Sequence, residues 1–193
     1  MFAVKLCNKK IEGLPCSMDT LRGSYGIEDS NGKFSGIAYY KVDINTSKKL
    51  IDELIPSQYR DQFTVSLMVI NSKYIPPHKD EGITMVVNYY IETSDATTSF
   101  WEDKGNETSF KLSEAKIYNK KNLVFKENFK AQENDVWAVK VSDIHSVDSL
   151  GERRLAYCFQ SESVMFKDFV KKLATESHSD QFESSTLVSK SLK

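Results

Sequence analysis

Short runs of β-branched and aromatic residues, separated by polar turns, dominate the middle of this chain. Strands of that length and spacing, with little helix between them, predict an antiparallel sandwich or barrel. An earlier run over residues 34–42 predicts a further strand, which a polar turn at residues 29–32 introduces. The runs that predict the main strands are residues 63–70, 84–92, 97–101, 122–129, 136–141 and 153–160.

Two stretches with apolar residues at helical spacing predict amphipathic helices. The first lies between residues 46 and 55, where a Thr/Ser cap precedes an apolar stripe and Pro56 ends the helix. The second covers residues 163–173, with Phe166 and Phe169 on its apolar face. We expect the first helix to pack on a sheet and the second to close the domain.

The sequence predicts a single mainly β domain with flanking helices over residues 1–173. The chain has 193 residues, 40% of them hydrophobic, which is enough for one sizeable core. The centre of the domain is expected at about residues 63–160, supported by a strand and helices within residues 1–62. Residues 174–193 are rich in serine and lose the apolar periodicity, which predicts a polar tail.

Charge and cysteine content narrow the classes of protein. Lysine and arginine number 26 against 27 aspartate and glutamate, so the formal charge of -1 gives no support to a nucleic-acid partner or an acidic membrane surface. No apolar run approaches the roughly 18 residues of a membrane span, and the amino terminus lacks the apolar stretch of a signal peptide. Cys7, Cys16 and Cys158 have no C-x-x-C spacing and cannot form a disulfide framework. We therefore expect reduced thiols, no structural zinc and a soluble cytoplasmic protein.

The residues that indicate chemistry begin with His78 and Asp80. Pro76 and Pro77 favour extended backbone just before them, so the two side chains are expected on the same face of a strand. An imidazole and a carboxylate on one face supply two ligands of the 2-His-1-carboxylate set that binds Fe(II) in non-haem oxygenases. His145 follows a predicted strand and is the candidate third ligand. An H-x-D pair alone is a weak signal, because it recurs by chance.

Two adjacent arginines open the last predicted strand. Arg154 follows His145 by nine residues and shares its side of the strand with Ala156 and Cys158, small residues that leave room for a cavity. An arginine beside such a cavity can hold a carboxylate through two parallel hydrogen bonds. A β-bulge would reverse this parity, so Arg153 stays a candidate beside Arg154.

Taken together, these positions resemble the Fe(II)- and 2-oxoglutarate-dependent dioxygenases, and especially their prolyl-hydroxylase-like branch. The family pattern is an H-x-D motif, then a distal histidine, then an arginine about nine residues later. The pattern is matched, in that order, by His78, Asp80, His145 and Arg154. The similarity covers roughly residues 63–160, about half of the chain.

Two neighbouring segments extend the resemblance. Residues 84–91 resemble the family strand in which a tyrosine just before an aliphatic residue binds the cosubstrate, which gives that role to Tyr90. Residues 129–137 resemble the turn that leads to the distal histidine, with Ala131 and Asn134 in place of the usual proline and glycine. This departure concerns the geometry of the turn rather than the chemistry.

The resemblance implies a double-stranded β-helix, which is a cupin-like jelly-roll barrel with iron near one open end. His78, Asp80 and His145 would be the catalytic metal ligands, and Arg154 and Tyr90 would bind 2-oxoglutarate. The cofactors would be Fe(II), 2-oxoglutarate and O2, and the reaction would hydroxylate a C–H bond while 2-oxoglutarate is decarboxylated to succinate. The substrate is expected to be a prolyl or other side chain of a protein or peptide, or else a small molecule.

Two alternatives stay open. Asn88 shares the inward parity of Tyr90, so it contacts the cosubstrate, contacts the groups around the metal ligands, or bonds to sheet backbone. For the whole protein, the alternatives are a cupin-like metal-binding isomerase and a non-catalytic ligand-binding barrel. Neither needs an arginine at the position of Arg154, because neither holds a five-carbon diacid.

Overall fold

The structure, a computed structural model, describes residues 1–28, 34–105, 109–112, 115–148 and 153–173. The predicted tail at residues 174–193 lies outside this part of the chain. Helix α1 (Ile44–Leu54) and short 3₁₀ turns at Ser57–Gln62 and Lys120–Asn122 are present, and residues 166–173 form a second helix, α2. The described strands are β1 (Ala3–Asn8), β2 (Leu21–Glu28), β3 (Phe34–Lys41), β4 (Thr64–Ile70), β5 (Tyr74–Asp80), β6 (Met85–Glu92), β7 (Thr97–Asp103), β8 (Ser109–Leu112), β9 (Ala115–Tyr118), β10 (Leu123–Lys130), β11 (Asp135–Val139), β12 (Ile144–Asp148) and β13 (Arg154–Ser161).

The strands form two antiparallel sheets that face each other. One has the order β1-β11-β6-β13-β4-β3-β2, and the other has the order β10-β7-β12-β5-β9-β8. Strands β4 to β7 alternate between the two sheets, and so do β10 to β13, which is the winding of a double-stranded β-helix, or jelly roll. The predicted fold class is confirmed. Outside this eight-stranded barrel, β2 and β3 extend one sheet beyond β4, while β8 and β9 extend the other beyond β5.

The central strands of the seven-stranded sheet, β6, β13 and β4, are buried on both faces. Toward the other sheet their residues pack in a core that includes Met68 and Phe100. On the opposite face, Leu67 packs in a second core with Leu50 of α1 and Phe169 of α2. Burial on both faces explains why β4, β6 and β13 are almost continuously apolar instead of alternating.

Helix α1 begins two residues earlier than predicted and has a different cap. The carboxylate of Asp43 accepts hydrogen bonds from the backbone N–H groups of Asn45 and Thr46, at 3.1 and 3.0 Å. The predicted Thr/Ser cap is therefore wrong: Thr46 lies inside the first turn, because a carboxylate upstream already satisfies the free N–H groups. The end of the helix before Pro56 and its packing on the sheet through Leu50 are as predicted.

Helix α2 begins at residue 166, three residues later than predicted. The hydroxyl of Ser161 accepts hydrogen bonds from the N–H groups of Ser163 and Val164, at 3.3 and 3.0 Å, and this turns the chain before the helix starts. Phe169 is fully buried, with its ring 5.8 Å from that of Phe63. No helix in the described part of the chain combines the length and the apolar character that a membrane crossing requires.

The pairing of β2 with β3 depends on a close backbone approach at Gly36. A Cβ atom at this position would lie 2.1 Å from the carbonyl oxygen of Tyr25. No larger residue fits there unless the backbone moves. Because Tyr25 pairs with Ile37, it shares one face of the sheet with Ile37 and Tyr39.

Asp135 connects β1 to the turn that precedes β11. Its carboxylate accepts hydrogen bonds from Lys5 Nζ and Asn8 Nδ2, both at 2.7 Å, and from the N–H of Gln132 at 3.0 Å. Burial by itself raises the pKa of this carboxyl, but these bonds outweigh burial and hold the pKa at about 2. In the same turn Asn134 has a φ of 66°, a left-handed conformation that asparagine tolerates almost as glycine does. Asn134, which stands where the resembled family usually has glycine, therefore adopts the backbone conformation that this turn needs.

Candidate metal centre

Two histidines and one aspartate meet between the sheets. His78 and Asp80 lie on β5, and His145 lies on β12 directly opposite His78. One potential ligand atom from each residue lies within 4.8 Å of the other two. The centroids of the two imidazole rings are 4.2 Å apart. The structure thus brings together the three residues that the sequence singled out as a metal site.

Strand β5 reaches this point through a bulge at its two prolines. On the approach to His78, β5 has one residue more than the facing segment of β12. Pro76 and Pro77 lie in this irregular segment, where a residue without an N–H group is tolerated. Beyond the bulge, the normal alternation of a strand places His78 and Asp80 on the cavity side.

Backbone carbonyl groups orient the two imidazole rings. Nδ1 of His78 lies 2.8 Å from the carbonyl oxygen of Pro76, and Nδ1 of His145 lies 3.0 Å from that of Asp143. A carbonyl oxygen only accepts, so each Nδ1 bears the proton and donates it. With Nδ1 donating, the Nε2 atom of each neutral ring is left as the metal-ligating atom, and Nε2 of His78 lies 3.5 Å from Oδ1 of Asp80.

Burial disfavours the charged forms of His145 and Asp80. It lowers the pKa of His145 to about 3, and the charges of His78 and Arg154 act in the same direction. Burial also raises the pKa of Asp80, an effect that the charge of His78 partly offsets. A divalent cation would compensate the carboxylate charge, and two imidazole nitrogens with one carboxylate form a donor set that suits Fe(II). The residues present therefore fit the metal that the resemblance implies.

Arg154 lies in the same cavity, and no described carboxylate pairs with it. Its side chain is 3% exposed. Nη1 donates a hydrogen bond to Thr98 Oγ1 at 3.2 Å, and the guanidinium lies 4.4 Å from the ring centroid of Tyr90. Its Nε atom has no hydrogen-bond partner within the described residues. Since a buried cation is costly unless an anion reaches it, this end of the cavity is suited to a carboxylate ligand.

Asn88 and Tyr90 add polar groups from β6. Asn88 Nδ2 donates a hydrogen bond to the Tyr90 hydroxyl at 3.2 Å, so the Asn88 side chain bonds to a neighbouring side chain rather than to sheet backbone. The Oδ1 atom of Asn88 is buried without a partner in the described part of the chain. Buried polar atoms are nearly always hydrogen-bonded, and this acceptor therefore indicates a place for a polar ligand or a water molecule.

Of the two adjacent arginines, Arg154 faces the cavity, and Arg153 points to the surface. The Nε and Nη2 atoms of Arg153 contact the carboxylate of Glu92 at 2.9 and 3.0 Å. Cys158 lines the cavity together with Arg154, as the expected parity requires. The register shift between β13 and β6 falls in β6, between Tyr90 and Glu92, and so leaves the alternation of β13 intact.

Thr98, Ile37 and Tyr39 also line the cavity and were not among the sequence candidates. Thr98 becomes part of the site because β7 pairs with β12, which places Thr98 opposite Val147. Ile37 and Tyr39 line the cavity from β3. The sequence pattern of the predicted strand at residues 34–42 indicated that Ile37 and Tyr39 share one face. It did not show how this strand aligns with β4, and that alignment places the two residues at the cavity.

No protein-family model and no curated protein sequence matches this chain. Solved structures with a similar fold include the epimerase SnoN in complex with Fe3+, alpha ketoglutarate and nogalamycin RO, at a TM-score of 0.45 and 11% identity, with 72% of this chain and 67% of that chain covered. Vicilin from hazelnut, Corylus avellana, has a TM-score of 0.37 and 11% identity over 66% of this chain and 28% of its own. A cupin-like protein from Thermotoga maritima has a TM-score of 0.35 and 9% identity over 72% of this chain and 78% of its own. This chain thus spans under a third of the vicilin, and at these values the likeness is one of general fold.

Proposed function

We propose that this protein is an Fe(II)- and 2-oxoglutarate-dependent oxygenase that hydroxylates a C–H bond. The observation that supports it most is the pairing, in one cavity, of a His-Asp-His cluster with a buried arginine that no described carboxylate neutralises. A metal site alone would suit many cupin-like proteins. A metal site that faces an unpaired buried cation suits a metal ion together with an acidic cosubstrate.

In this proposal, the Nε2 atoms of His78 and His145 and the carboxylate of Asp80 hold the iron. The carbonyl acceptors at the two Nδ1 atoms fix the orientation of the rings before any metal binds. When bound, iron and 2-oxoglutarate supply the oxidation: 2-oxoglutarate is decarboxylated to succinate, and one oxygen atom of O2 enters the substrate C–H bond.

Arg154 binds the far carboxylate of 2-oxoglutarate, with Tyr90 beside it. Its free Nε and its Nη atoms can donate two parallel hydrogen bonds to a carboxylate. Thr98 already holds Nη1 and so fixes the direction of the guanidinium group. Asn88 positions the Tyr90 hydroxyl and presents its own Oδ1 to the ligand space.

The prolyl-hydroxylase-like branch is the part of the family whose motif spacing this chain matches. We therefore take a prolyl or other uncharged side chain of a protein or peptide as the first substrate to test. Peptides that contain such residues should raise succinate formation above the level without peptide.

An anaerobic titration tests the proposal directly. Fe(II) and then 2-oxoglutarate are added to the protein, and the weak visible charge-transfer band of an iron-bound keto acid is followed. The band should appear with the natural sequence and with Arg153→Ala, and it should be lost in His145→Ala. Iron binding without the band would favour a metal-binding isomerase, and binding of neither would favour a non-catalytic barrel. Both results contradict the oxygenase proposal.

A further inference from the structure

The outer face of the six-stranded sheet, which points away from the metal cavity, carries a small apolar cluster. We call its members the outer cluster: Trp101, Tyr118, Leu123 and Ile144. Phe100 and His145, the chain neighbours of two of them, lie between the sheets. Because side chains alternate along a strand, Trp101 and Ile144 lie on the opposite face. This face therefore has an apolar centre of its own.

Lys120 places a positive charge beside the outer cluster. Its Nζ atom lies 5.0 Å from the ring centroid of Trp101 and 5.7 Å from that of Tyr74, within the range of a cation–π contact. Asp148 is its ion-pair partner in the described part of the chain, at 3.9 Å, and both side chains are about half exposed. An exposed pair at that distance contributes little, so the ammonium group remains available to a second carboxylate.

Lys79 and Lys116 add positive charges at directly opposite positions of β5 and β9. Their Nζ atoms lie 5.9 and 5.4 Å from the ring centroid of Tyr118. Like charges at opposite positions of paired strands disfavour the pairing, and contact with one ring offsets this effect in part. No described carboxylate pairs with Lys79. An external anion at Lys79 would therefore meet a cation that the described chain leaves without a counter-charge.

Phe125 offers an apolar contact at the other end of the same face. It lies on β10, the edge strand of the sheet, and its side chain is 50% exposed. It pairs with Trp101 across the strands, and the two rings meet edge-on with 5.6 Å between centroids. An apolar side chain that covered Phe125 would remove apolar surface from water, which is favourable.

The sheet sets the spacing between these groups. Cross-strand pairing leads from Phe125 through Trp101 to Ile144, and Ile144 lies opposite Lys79. Three strand spacings separate the ends of this row, a distance of about 14 Å. The ammonium of Lys120 lies between the ends, because it contacts rings from both β7 and β5. An extended peptide covers about 14 Å in four residues, and its side chains at positions two and four from the first point to the same side.

The ring contacts favour an acidic peptide over a nucleic acid as the anionic partner. Bases of single-stranded nucleic acids stack on the faces of aromatic rings. In this structure, lysine ammonium groups lie over the rings of Trp101 and Tyr118. The formal charge of -1 also gives no long-range attraction for a polyanion. Carboxylates need no ring face and pair with an ammonium group directly.

From these observations we infer that the outer face is a docking surface for an acidic peptide segment, in which acidic residues stand two and four positions from one apolar residue. The apolar side chain covers Phe125, and the two carboxylates pair with Lys120 and Lys79. The metal cavity takes no part in this contact, because it lies on the other face of the sheet. The inference is therefore independent of the proposed function.

The test uses the full isotope-labelled chain and short acetylated, amidated peptides. The probes with the inferred spacing are Leu-Ser-Glu-Ser-Glu and its reverse, Glu-Ser-Glu-Ser-Leu. The control Leu-Glu-Ser-Glu-Ser has the same composition, but its carboxylates point to the other side of an extended chain from leucine. At least one probe should bind about fivefold more tightly than the control, because each exposed ion pair contributes a factor of about two.

Binding is followed through the indole N–H signals of the two tryptophans. Nε1 of Trp101 donates to Ser146 Oγ at 2.9 Å, so its signal reports on the outer face. Nε1 of Trp137 donates to Asp135 at 3.3 Å, and its signal is the internal control. The signal that is lost in Trp101→Phe should shift when a probe binds, and the other should stay in place.

Two neighbouring lysines supply matched variants. Lys121 is exposed like Lys120, but within the described residues it contacts no ring. At a salt concentration of about 0.15 M, which screens distant charges, Lys120→Gln should weaken the better probe about two- to threefold and Lys121→Gln should leave it unchanged. Phe125→Ala should weaken the same probe by a similar factor, because apolar contact is lost. Thermal unfolding shows that each variant keeps its fold.

The outcomes are distinct. A shift confined to Trp101, a preference for the inferred spacing and a loss in Lys120→Gln alone of the two lysine variants support the inference. Absence of binding, equal affinity for probes and control, an equal shift at Trp137 or equal losses in the two lysine variants overturn it. Tighter binding of a five-residue oligothymidylate also overturns it and makes this face a nucleic-acid surface. None of these results bears on iron or 2-oxoglutarate, so the proposed function is tested separately.

Discussion

Replacing Arg154 with alanine should remove most of the affinity for 2-oxoglutarate, whereas the same change at Arg153 should leave it unchanged. The two residues are adjacent and chemically identical, so they form a matched pair. Arg154 is 3% exposed, and its Nε donor inside the cavity has no hydrogen-bond partner among the described residues. The side chain of Arg153 is 44% exposed and pairs with Glu92 on the surface.

The size of the effect follows from the bonds that would be lost. Hydrogen bonds to charged groups contribute about 1.5 to 3 kcal/mol each, so a two-bond contact with a carboxylate supports an estimate of about 3 kcal/mol. That value corresponds to a dissociation constant about 150-fold higher. Arg154→Lys keeps the charge but not the paired donors, and it should lose about tenfold. The exposed ion pair of Arg153 contributes about 0 to 1 kcal/mol to stability and nothing to ligand binding.

The assay is calorimetric titration of 2-oxoglutarate into protein loaded with Mn(II). Thermal unfolding of each variant shows that the fold is retained and separates lost binding from lost structure. If Arg154→Ala and Arg153→Ala bind 2-oxoglutarate equally well, the reasoning from the buried cation is refuted. The oxygenase proposal would then lose its main support, and a cupin-like metal-binding protein would be the better interpretation.

Three further predictions concern the fold and its ionisable groups. Asp135→Asn should lower the free energy of unfolding by about 1 kcal/mol at pH 7, once solvent screening of its exposed lysine partner is allowed for. Folding lowers the pKa of Asp135 from 3.8 to about 2. The ionised carboxylate therefore contributes its full stabilisation above about pH 4, and about half of that free energy is lost by pH 3. If urea unfolding gave the same free-energy difference between the natural protein and Asp135→Asn at every pH in this range, the prediction would be contradicted. Leu50→Ala should lower the free energy of unfolding by about 2 to 4 kcal/mol. Ile44→Ala, at a position that is 80% exposed, should lower it by less than about 0.5 kcal/mol. Similar losses in the two variants would mean that α1 packs through a different face. A thiol reagent should label exposed Cys16 in the native protein and reach Cys158 only on unfolding, since burial encloses that thiol and raises its pKa; equal labelling rates by mass spectrometry would argue against the buried position.

The parts of the site that follow from short-range rules could be predicted from the sequence. Side chains alternate between the two faces of a strand, so His78 and Asp80 share a face. Arg154 and Cys158 share a face for the same reason. These relations hold because each pair lies within one strand. The bulge at Pro76 and Pro77 ends before His78, so it does not change the face that His78 and Asp80 share.

The parts that depend on pairing between distant strands could not be predicted in this way. Strand β2 contains Gly23 and Gly26, which disfavour strands, and it forms because β3 offers a partner. The role of Thr98 depends on the neighbours of β7, and that of Tyr39 depends on the register of β3 against β4. The cap at Asp43 was missed for a different reason, since Thr46 is also an acceptable cap residue and the local geometry decides between them.

The division of the site between the two sheets explains why its members need one another. The candidate metal ligands His78, Asp80 and His145 lie on the six-stranded sheet, whereas Arg154 and Tyr90 lie on the seven-stranded sheet. Because the two sheets face each other, all of these groups are buried among apolar side chains. The carboxylate of Asp80 lies on one side of the cavity and the guanidinium of Arg154 on the other, with no direct ion pair between them. A divalent metal ion and a dianionic cosubstrate that binds it would neutralise both sides at once, because one ligand would bridge the gap between the sheets. Binding of the metal and of 2-oxoglutarate should therefore be mutually strengthening in this protein, and each should raise its thermal stability more in the presence of the other.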